Sequence, residues 1–502
     1  MGTGWWRWVS GLALLVACTR VQVEPAEGES VRLPSGVPTT NGSSRSDAAP
    51  SSPLATTRSG SREAVTDGGV PEVGAILTAA RSGKAYERLV SLCDDVGHRL
   101  SGSANYQRAV LWGVARFEED GVPRVATEPV EVPAWVRGQE SVQMVRPRAL
   151  MLPMLGLGGS PGTPGIEADV VVVPDVESVD DSVRGRIVLF HSVMETRVPA
   201  YEGYGGAVAA RTKGPAAAAR HGAVGALVRS ITTRSLASPH TGVTVFEEGE
   251  PQIPAAAVAT EHADMMARMI ARGQTVRVRM EMEAHWKPDQ NTHNVVAEIP
   301  GRERPEEVVL IGGHLDSWDV GQGAHDDGAG IAEVIESMRI LAAMPPARRT
   351  IRAVLFANEE NGLRGGRAYF AAHEEEVHVA AIETDLGGGW PLGWGATGTD
   401  EQLEWLAARA APLGLPVRFP GGGADISPLK ANGTLTIGLR PDDRHYFDVH
   451  HTHADTVDKV EPASLREATG ALAALAWLLA NAESAPLPTG KPLKPPSESG
   501  RR

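Results

Sequence analysis

From Asn294 onward the chain repeats one arrangement: an apolar run of strand type, a polar residue just past its end, then an amphipathic helical stretch. The strand-type runs are Val308–Gly312, Ile351–Ala357, Val379–Thr384 and Thr434–Leu439. The helical stretches between and after them are Ile331–Met344, Arg364–His373, Leu403–Ala411 and Ala463–Ala480. Strands separated by helices of this length pair in parallel, which predicts an α/β sheet with helices on both faces. In such sheets the ligand crevice lies outside the carboxyl ends of the strands. The residues at those ends therefore decide what the chain can do.

They are rich in potential metal ligands. His314 and Asp316 follow the run ending at Gly313, Glu359 and Glu360 follow the one ending near Asn358, and Asp385 follows Thr384. His450, His451 and His453 lie in the connection between Leu439 and the last helix. One carboxylate after a strand is commonplace and usually caps a helix; the recurrence points to convergence on one site. Asp326 and Asp327 stand where capping of the next helix explains an acid, yet Gly321, Gly323, Gly328 and Gly330 around them allow the backbone to wrap closely around an ion. A thiolate zinc site is excluded, because the chain has 2 cysteines, Cys18 and Cys93. With 62 acidic against 48 basic residues and a formal charge of -14, the chain would repel phosphate backbones, and no basic stripe with interleaved aromatics offsets this. Nucleic acid is not an expected partner.

The stretches GGHLDSWDVGQGAHDDGAG (312–330), FANEENG (356–362), ETDLGG (383–388) and HHTHADT (450–456) resemble the motifs of peptidase family M28, the co-catalytic zinc exopeptidases of clan MH. The resemblance implies a zinc-exopeptidase α/β/α sandwich carrying an inserted β-rich protease-associated domain over its cleft. It places the catalytic domain at 70–145 and 285–484 and the insert at 146–284, a stretch of short Val-rich runs punctuated by Gly and Pro. It also implies two Zn2+ per chain, with His314 and Asp385 on one ion, Glu360 and His451 on the other, Asp326 bridging both, and Glu359 as general base. Two nearby dications need a shared anion, and a neighbouring carboxylate bound to neither must move the proton. Asp316 is expected to orient His314, Asp455 to be structural, and Tyr446 to polarise the carbonyl oxygen or else to pack. His450 could be a ligand or a neighbour of one. The wording of LPMLGLG, VRSITTRSLASPHTG and GGGADIS is similar to a carboxypeptidase branch of the family, implying cleavage of dipeptides or short peptides with free termini by a homodimer. The alternatives on the same scaffold are an M28 aminopeptidase, a non-catalytic receptor-like protein, or a glutaminyl cyclase.

Arg7 followed by the apolar run Val9–Ala17 reads as a signal peptide, too short to span a bilayer. Leu15, Val16, Ala17 and Cys18 resemble a bacterial lipobox, which predicts a lipidated Cys18 as the membrane anchor and an envelope location, periplasmic or outer-membrane, or else secretion. Residues 18–69 and 485–502 have the polar, aromatic-poor composition of a disordered tether and tail. Two other motifs are set aside. Gly158–Gly162 matches a serine-hydrolase elbow, but Pro161 cannot donate the required N–H. HEEEVH (373–378) has its histidines five apart, on different faces of a helix, and reads as a solvated helix end.

Overall fold

A computed structural model describes residues 64–491 and 493; the expected signal segment, Cys18 and most of the tether lie outside the described residues. No helix among the described residues is long and apolar enough to cross a membrane.

The apolar runs form the middle of an eight-stranded sheet. In spatial order its strands are Arg124–Val136, His285–Ile299, Arg349–Phe356, Arg304–His314, Val377–Glu383, Leu435–Pro441, Pro391–Thr397 and Val417–Arg418. The strands from Arg349–Phe356 through Leu435–Pro441 run parallel, and the flanking ones reverse direction. Their continuous hydrophobicity follows from burial on both faces. Val309, Ile311, Ile351 and Leu355 pack into one core under the helices Pro71–Arg81, Ala104–Glu119, Ala329–Ala342 and Pro462–Asn481. Leu310, Val354 and Phe356, pointing the other way, meet Tyr369 and Leu429 beneath the helix Arg364–Ala372. The result is an α/β/α sandwich.

A second eight-stranded sheet is spliced between Val136 and His285, which are themselves paired across the first sheet. Four of its strands, Thr163–Val173, Ile187–Phe190, Gly225–Arg229 and Ala255–Val258, are parallel; the helix Gly214–Arg220 lies between the second and third, and Thr260–Ala271 leads from the fourth to the antiparallel strand Arg277–Met282. The segment thus carries helices as well as strands, with the strands the larger share. Its first strand, Glu140–Arg146, buries Val142 and Met144 between polar neighbours, so the change of sheet precedes the boundary expected near Val145. Trp318, from the first sheet's loops, packs into its core, and Arg137 donates to Asp319 at 2.5 and 2.9 Å. Ser160 of the elbow-like motif is buried and accepts from the Ala255 N–H at 2.8 Å, tying two chain segments together.

Three sequence expectations need correction. The end of the tether is ordered: Val65 is buried, its N–H donates to Glu467, and Thr66 N–H donates to the Leu413 carbonyl. The start of the tail is held too, with Gly490 and Leu493 N–H donating to the carbonyls of Asn432 and Lys430. HEEEVH is not solvated throughout, because His378 is buried on a strand and His373 sits between Glu128 (2.8 Å) and Glu376 (2.9 Å). Burial opposes the charge on His373, but these two carboxylates win and raise its pKa to about 9.

A histidine whose folded pKa lies above its ordinary 6.5 stabilises the fold fully below pH 6.5 and loses that contribution as pH rises through 9. His373→Gln is therefore expected to lower the urea midpoint most near pH 6 and least near pH 10. A wild-type-minus-variant difference that stays constant across this range contradicts the pairing.

Candidate metal centre

The polar residues at the strand ends converge because the four parallel strands all end on the same edge. His314 is the last residue of the central strand, and Asp385 stands two residues past the end of its neighbour at Glu383. Glu359 and Glu360 occupy a tight turn that begins at Asn358 (φ +65°) and ends at Leu363 (φ +55°). His451, just past the short helix Tyr446–Val449, has φ +61°. Left-handed backbone at non-glycine residues is costly and is kept where surrounding contacts enforce it. The Asp326–Asp327 peptide bond is cis.

Asp326 lies at the centre. Its Oδ1 is 3.1 Å from His314 Nε2, which is also 3.2 Å from Asp385 Oδ1. Its Oδ2 is 3.1 Å from His451 Nε2, which is 3.1 Å from Glu360 Oε2. The His451 contact is out of line for a hydrogen bond, leaving this buried Asp326 oxygen without a donor. Two imidazoles and three carboxylates thus present donor atoms at the edge lengths of a ligand tetrahedron, about 3.3 Å for metal–ligand distances near 2.0 Å. Donor atoms of His314, Asp326 and Glu360 fall within 4.8 Å of one another, as do those of His314 and Asp385 with Asp327 and those of Asp326 and His451 with His450, and nitrogen and oxygen donors suit a borderline dication. The residues fit a metal.

The flanking groups each have partners of their own. Asp316 meets His314 Nδ1 through its backbone carbonyl at 3.1 Å and a carboxylate oxygen at 3.7 Å, and the same carboxylate accepts from the Glu359 N–H (3.0 Å), the Glu360 N–H (3.4 Å) and Ser101 Oγ (3.0 Å). It positions the glutamate turn. Asp455 accepts from the N–H groups of His325 (2.7 Å) and Asp326 (3.2 Å), a scaffolding role. Asp327 accepts from the N–H groups of His314 and Gly330, both at 3.1 Å. His450 stacks on His451 with centroids 3.6 Å apart and reaches Asp326 only at 3.5 Å. Tyr446 is buried against His325, Phe447 and His450.

Two arginines escaped the sequence reading. Arg99 is fully buried and donates to the carbonyls of Leu315, Gln322 and Gly323 at 2.6 to 3.0 Å, clamping the loop that carries Asp326. Arg211, from the second sheet's segment, donates to the Thr241 carbonyl at 3.1 Å. That carbonyl lies 3.2 Å from His451 Nδ1, and the Thr241 N–H donates to the His451 carbonyl at 3.0 Å. A carbonyl on one ring nitrogen turns the other toward Asp326 and Glu360. Only a chain-wide signal could have revealed this, since the partners are 210 residues apart.

Crowding divides the protons. Burial depresses His451, but Glu360 and Asp326 hold its pKa up at about 9; burial and Asp326 push Glu360 up to about 7. Burial raises Glu359 well above the usual carboxylate range, and Asp385 and Glu360 add to it, as suits a group that exchanges protons. Among the described residues its carboxylate has no hydrogen-bond partner. It faces a cavity of about 690 Å³ lined also by Tyr204, Arg211, Arg364, Tyr446 and His451, with the second sheet's segment forming one wall.

The sequence profile of Peptidase family M28 matches residues 294–476. Carboxypeptidase Q of Bos taurus is 38% identical over 414 residues, 80% of this chain and 86% of the relative; carboxypeptidase Q of Homo sapiens is 38% identical over 427 residues, 82% and 89%. The crystal structure of a peptidase M28 precursor from Shewanella amazonensis SB2B superposes with a TM-score of 0.80 at 36% identity, covering 84% of this chain and 98% of its own. An aminopeptidase from Aneurinibacillus sp. strain AM-1, with a TM-score of 0.59 at 19% identity over 85% of this chain and 98% of its own, shares the fold. Since the matched profile spans every converging group from His314 to His451 and the similarity to carboxypeptidase Q extends along most of the chain, this protein belongs to peptidase family M28.

Proposed function

We propose that the chain is a dinuclear zinc exopeptidase that hydrolyses dipeptides and short peptides. The observation that carries this reading is the divided carboxylate of Asp326, one oxygen against His314 and the other against His451. His314 and Asp385 would hold one ion, Glu360 and His451 the other, and Asp326 both. Bound there, two zinc ions supply Lewis acidity for the scissile carbonyl and lower the pKa of the attacking water. Glu359 takes that water's proton and passes it to the leaving amine, a role favoured by its raised pKa and free carboxylate. Tyr446 would donate to the developing oxyanion; burial and the nearby Asp326 and Asp385 raise its pKa, which keeps the hydroxyl protonated for that role.

The segment expected at 146–284 begins at Glu140 and would act as a protease-associated domain roofing the cleft, which leaves 70–139 and 285–484 to the catalytic domain. A roof admits chain ends and excludes folded proteins, and similarity to carboxypeptidase Q favours that activity over an aminopeptidase. The protein would be exported, anchored through lipidated Cys18, and active as a homodimer. Cys18→Ala should move it from the membrane to the soluble fraction; unchanged fractionation rejects the anchor.

The variant series separates the roles. Glu359→Gln should keep both metals and lower kcat by at least about 100-fold, since only proton transfer is lost. Asp326→Ala should lose both ions and His451→Ala chiefly one, read by metal analysis. Full metal occupancy in Asp326→Ala contradicts the bridge. A dipeptide panel with and without chelator tests the activity: acetylated dipeptides should resist if the amine is read, amidated ones if the carboxylate is. Efficient internal cleavage of a long peptide blocked at both ends is incompatible with an exopeptidase.

A further inference from the structure

A second cavity of about 680 Å³ opens beyond Asp385 and shares Tyr201, Asp385 and Leu386 with the one facing Glu359, so the two form arms of one cleft with Asp385, one of the proposed ligands, at their junction. A peptide bond held at that junction sends one end of the substrate into each arm. The second arm is walled largely by glycine backbone from the Gly421–Gly423 loop and the adjoining strands. Its polar side chains are nearly all engaged. Thr397 Oγ1 donates to the Gly421 carbonyl at 2.6 Å, and Arg440 donates to Tyr201 Oη at 2.6 Å and to the Pro420 carbonyl at 2.7 Å. Glu383 accepts from the N–H groups of Ala424 and Ile426 at 2.8 and 2.9 Å.

Lys430 is the exception. Among the described residues its ammonium has no hydrogen bond or ion pair, although it is half-buried in this wall; a Cβ placed on Gly422 would lie 3.6 Å from its Nζ. The backbone beneath it is fixed, because its carbonyl accepts from both Gly433 (3.1 Å) and Leu493 (3.0 Å). Burial lowers the ammonium's pKa, with Glu383 acting against this, so an anion beside it would relieve a partly desolvated charge.

We propose that Lys430 binds a carboxylate of the peptide substrate in this arm, making it a specificity-determining residue of the exopeptidase reading, on which the inference rests. The carboxylate can be the substrate's terminal one or that of an acidic side chain; both supply the same partner to the ammonium. Of the other cations lining the cleft, Arg440 in the same arm is engaged by Tyr201 and the Pro420 carbonyl, and Arg211 in the first arm by Tyr204 and the Thr241 carbonyl; the free competitors are Arg364 and Arg367, which line the first arm and are exposed.

The test compares zinc-loaded wild type with Lys430→Met and Lys430→Arg on three substrates: a neutral dipeptide acid, its C-terminal amide, and a dipeptide amide bearing a glutamate side chain. If the terminus is read, wild type should prefer the acid over its amide by about 10-fold or more in kcat/KM, as for a charge-assisted hydrogen bond. Lys430→Met should collapse that preference through KM, and Lys430→Arg should retain part of it. If the side chain is read, the glutamate-bearing amide should show the same preference over the neutral amide and the same collapse. Preferences unchanged in Lys430→Met, in a protein that melts as wild type does, overturn the proposal and point to Arg364 and Arg367. A zinc-loaded wild type that hydrolyses none of the three fails the exopeptidase reading itself, and the proposal falls with it.

Discussion

The carboxyl edge of the first sheet gathers many buried acids, and most of them are stabilised by partners of two kinds. Asp316, Asp327, Glu383 and Asp455 each accept from two backbone N–H groups. Fixed dipoles of this sort stabilise an anion without adding a mobile charge. Asp326, Glu360 and Asp385 instead turn an oxygen toward an imidazole. The first set builds loops and the second set faces the cleft. A carboxylate's donors thus separate scaffold from chemistry where proximity cannot, as the adjacent pair Asp326 and Asp327 demonstrates.

Much of this was legible because period and position carry physical meaning. A run such as Val308–Gly312, apolar on every residue, can only be a strand buried on both faces, and a parallel strand delivers its last residue to the ligand edge. His314, Glu359, Glu360 and Asp385 could be located by that logic before any coordinates, and His451 by its motif. Arg99 could not, since a buried arginine whose partners are all backbone carbonyls leaves no trace in spacing. Asp316 was placed beside the right histidine, but its hold on the N–H groups of Glu359 and Glu360 was missed, because sequence does not say which further donors a carboxylate meets. The forward edge of the second sheet's segment was blurred by Glu140–Arg146, whose alternation is that of a half-buried strand in either sheet. The ends of tether and tail misled for a related reason. Val65 and Leu493 are single apolar residues in polar surroundings, and composition averages them away.

The second sheet's segment does more than cover the cleft. Through Thr241 it holds the ring of His451, and through Tyr201 it meets Arg440 in the arm that contains Lys430. The proposed ligand geometry and substrate selection would therefore both depend on how that segment is seated. Substituting an unrelated roof would disturb the ligand cluster and the selective arm together.

The splice point also constrains how the chain is made. Arg124 pairs with Glu298, so the strand Arg124–Val136 emerges from the ribosome 174 residues ahead of its partner, an interval of about 10 to 35 s at 5–20 residues per second. Throughout it, a long strand stands with both edges open, the condition that invites pairing with other chains. Its composition answers the hazard: Pro129 and Pro133 remove ladder donors, and Glu128 and Glu131 add charge at the centre of the run. The strand remains outermost in the finished sheet, so the same residues that protect it during synthesis go on guarding an exposed edge afterwards.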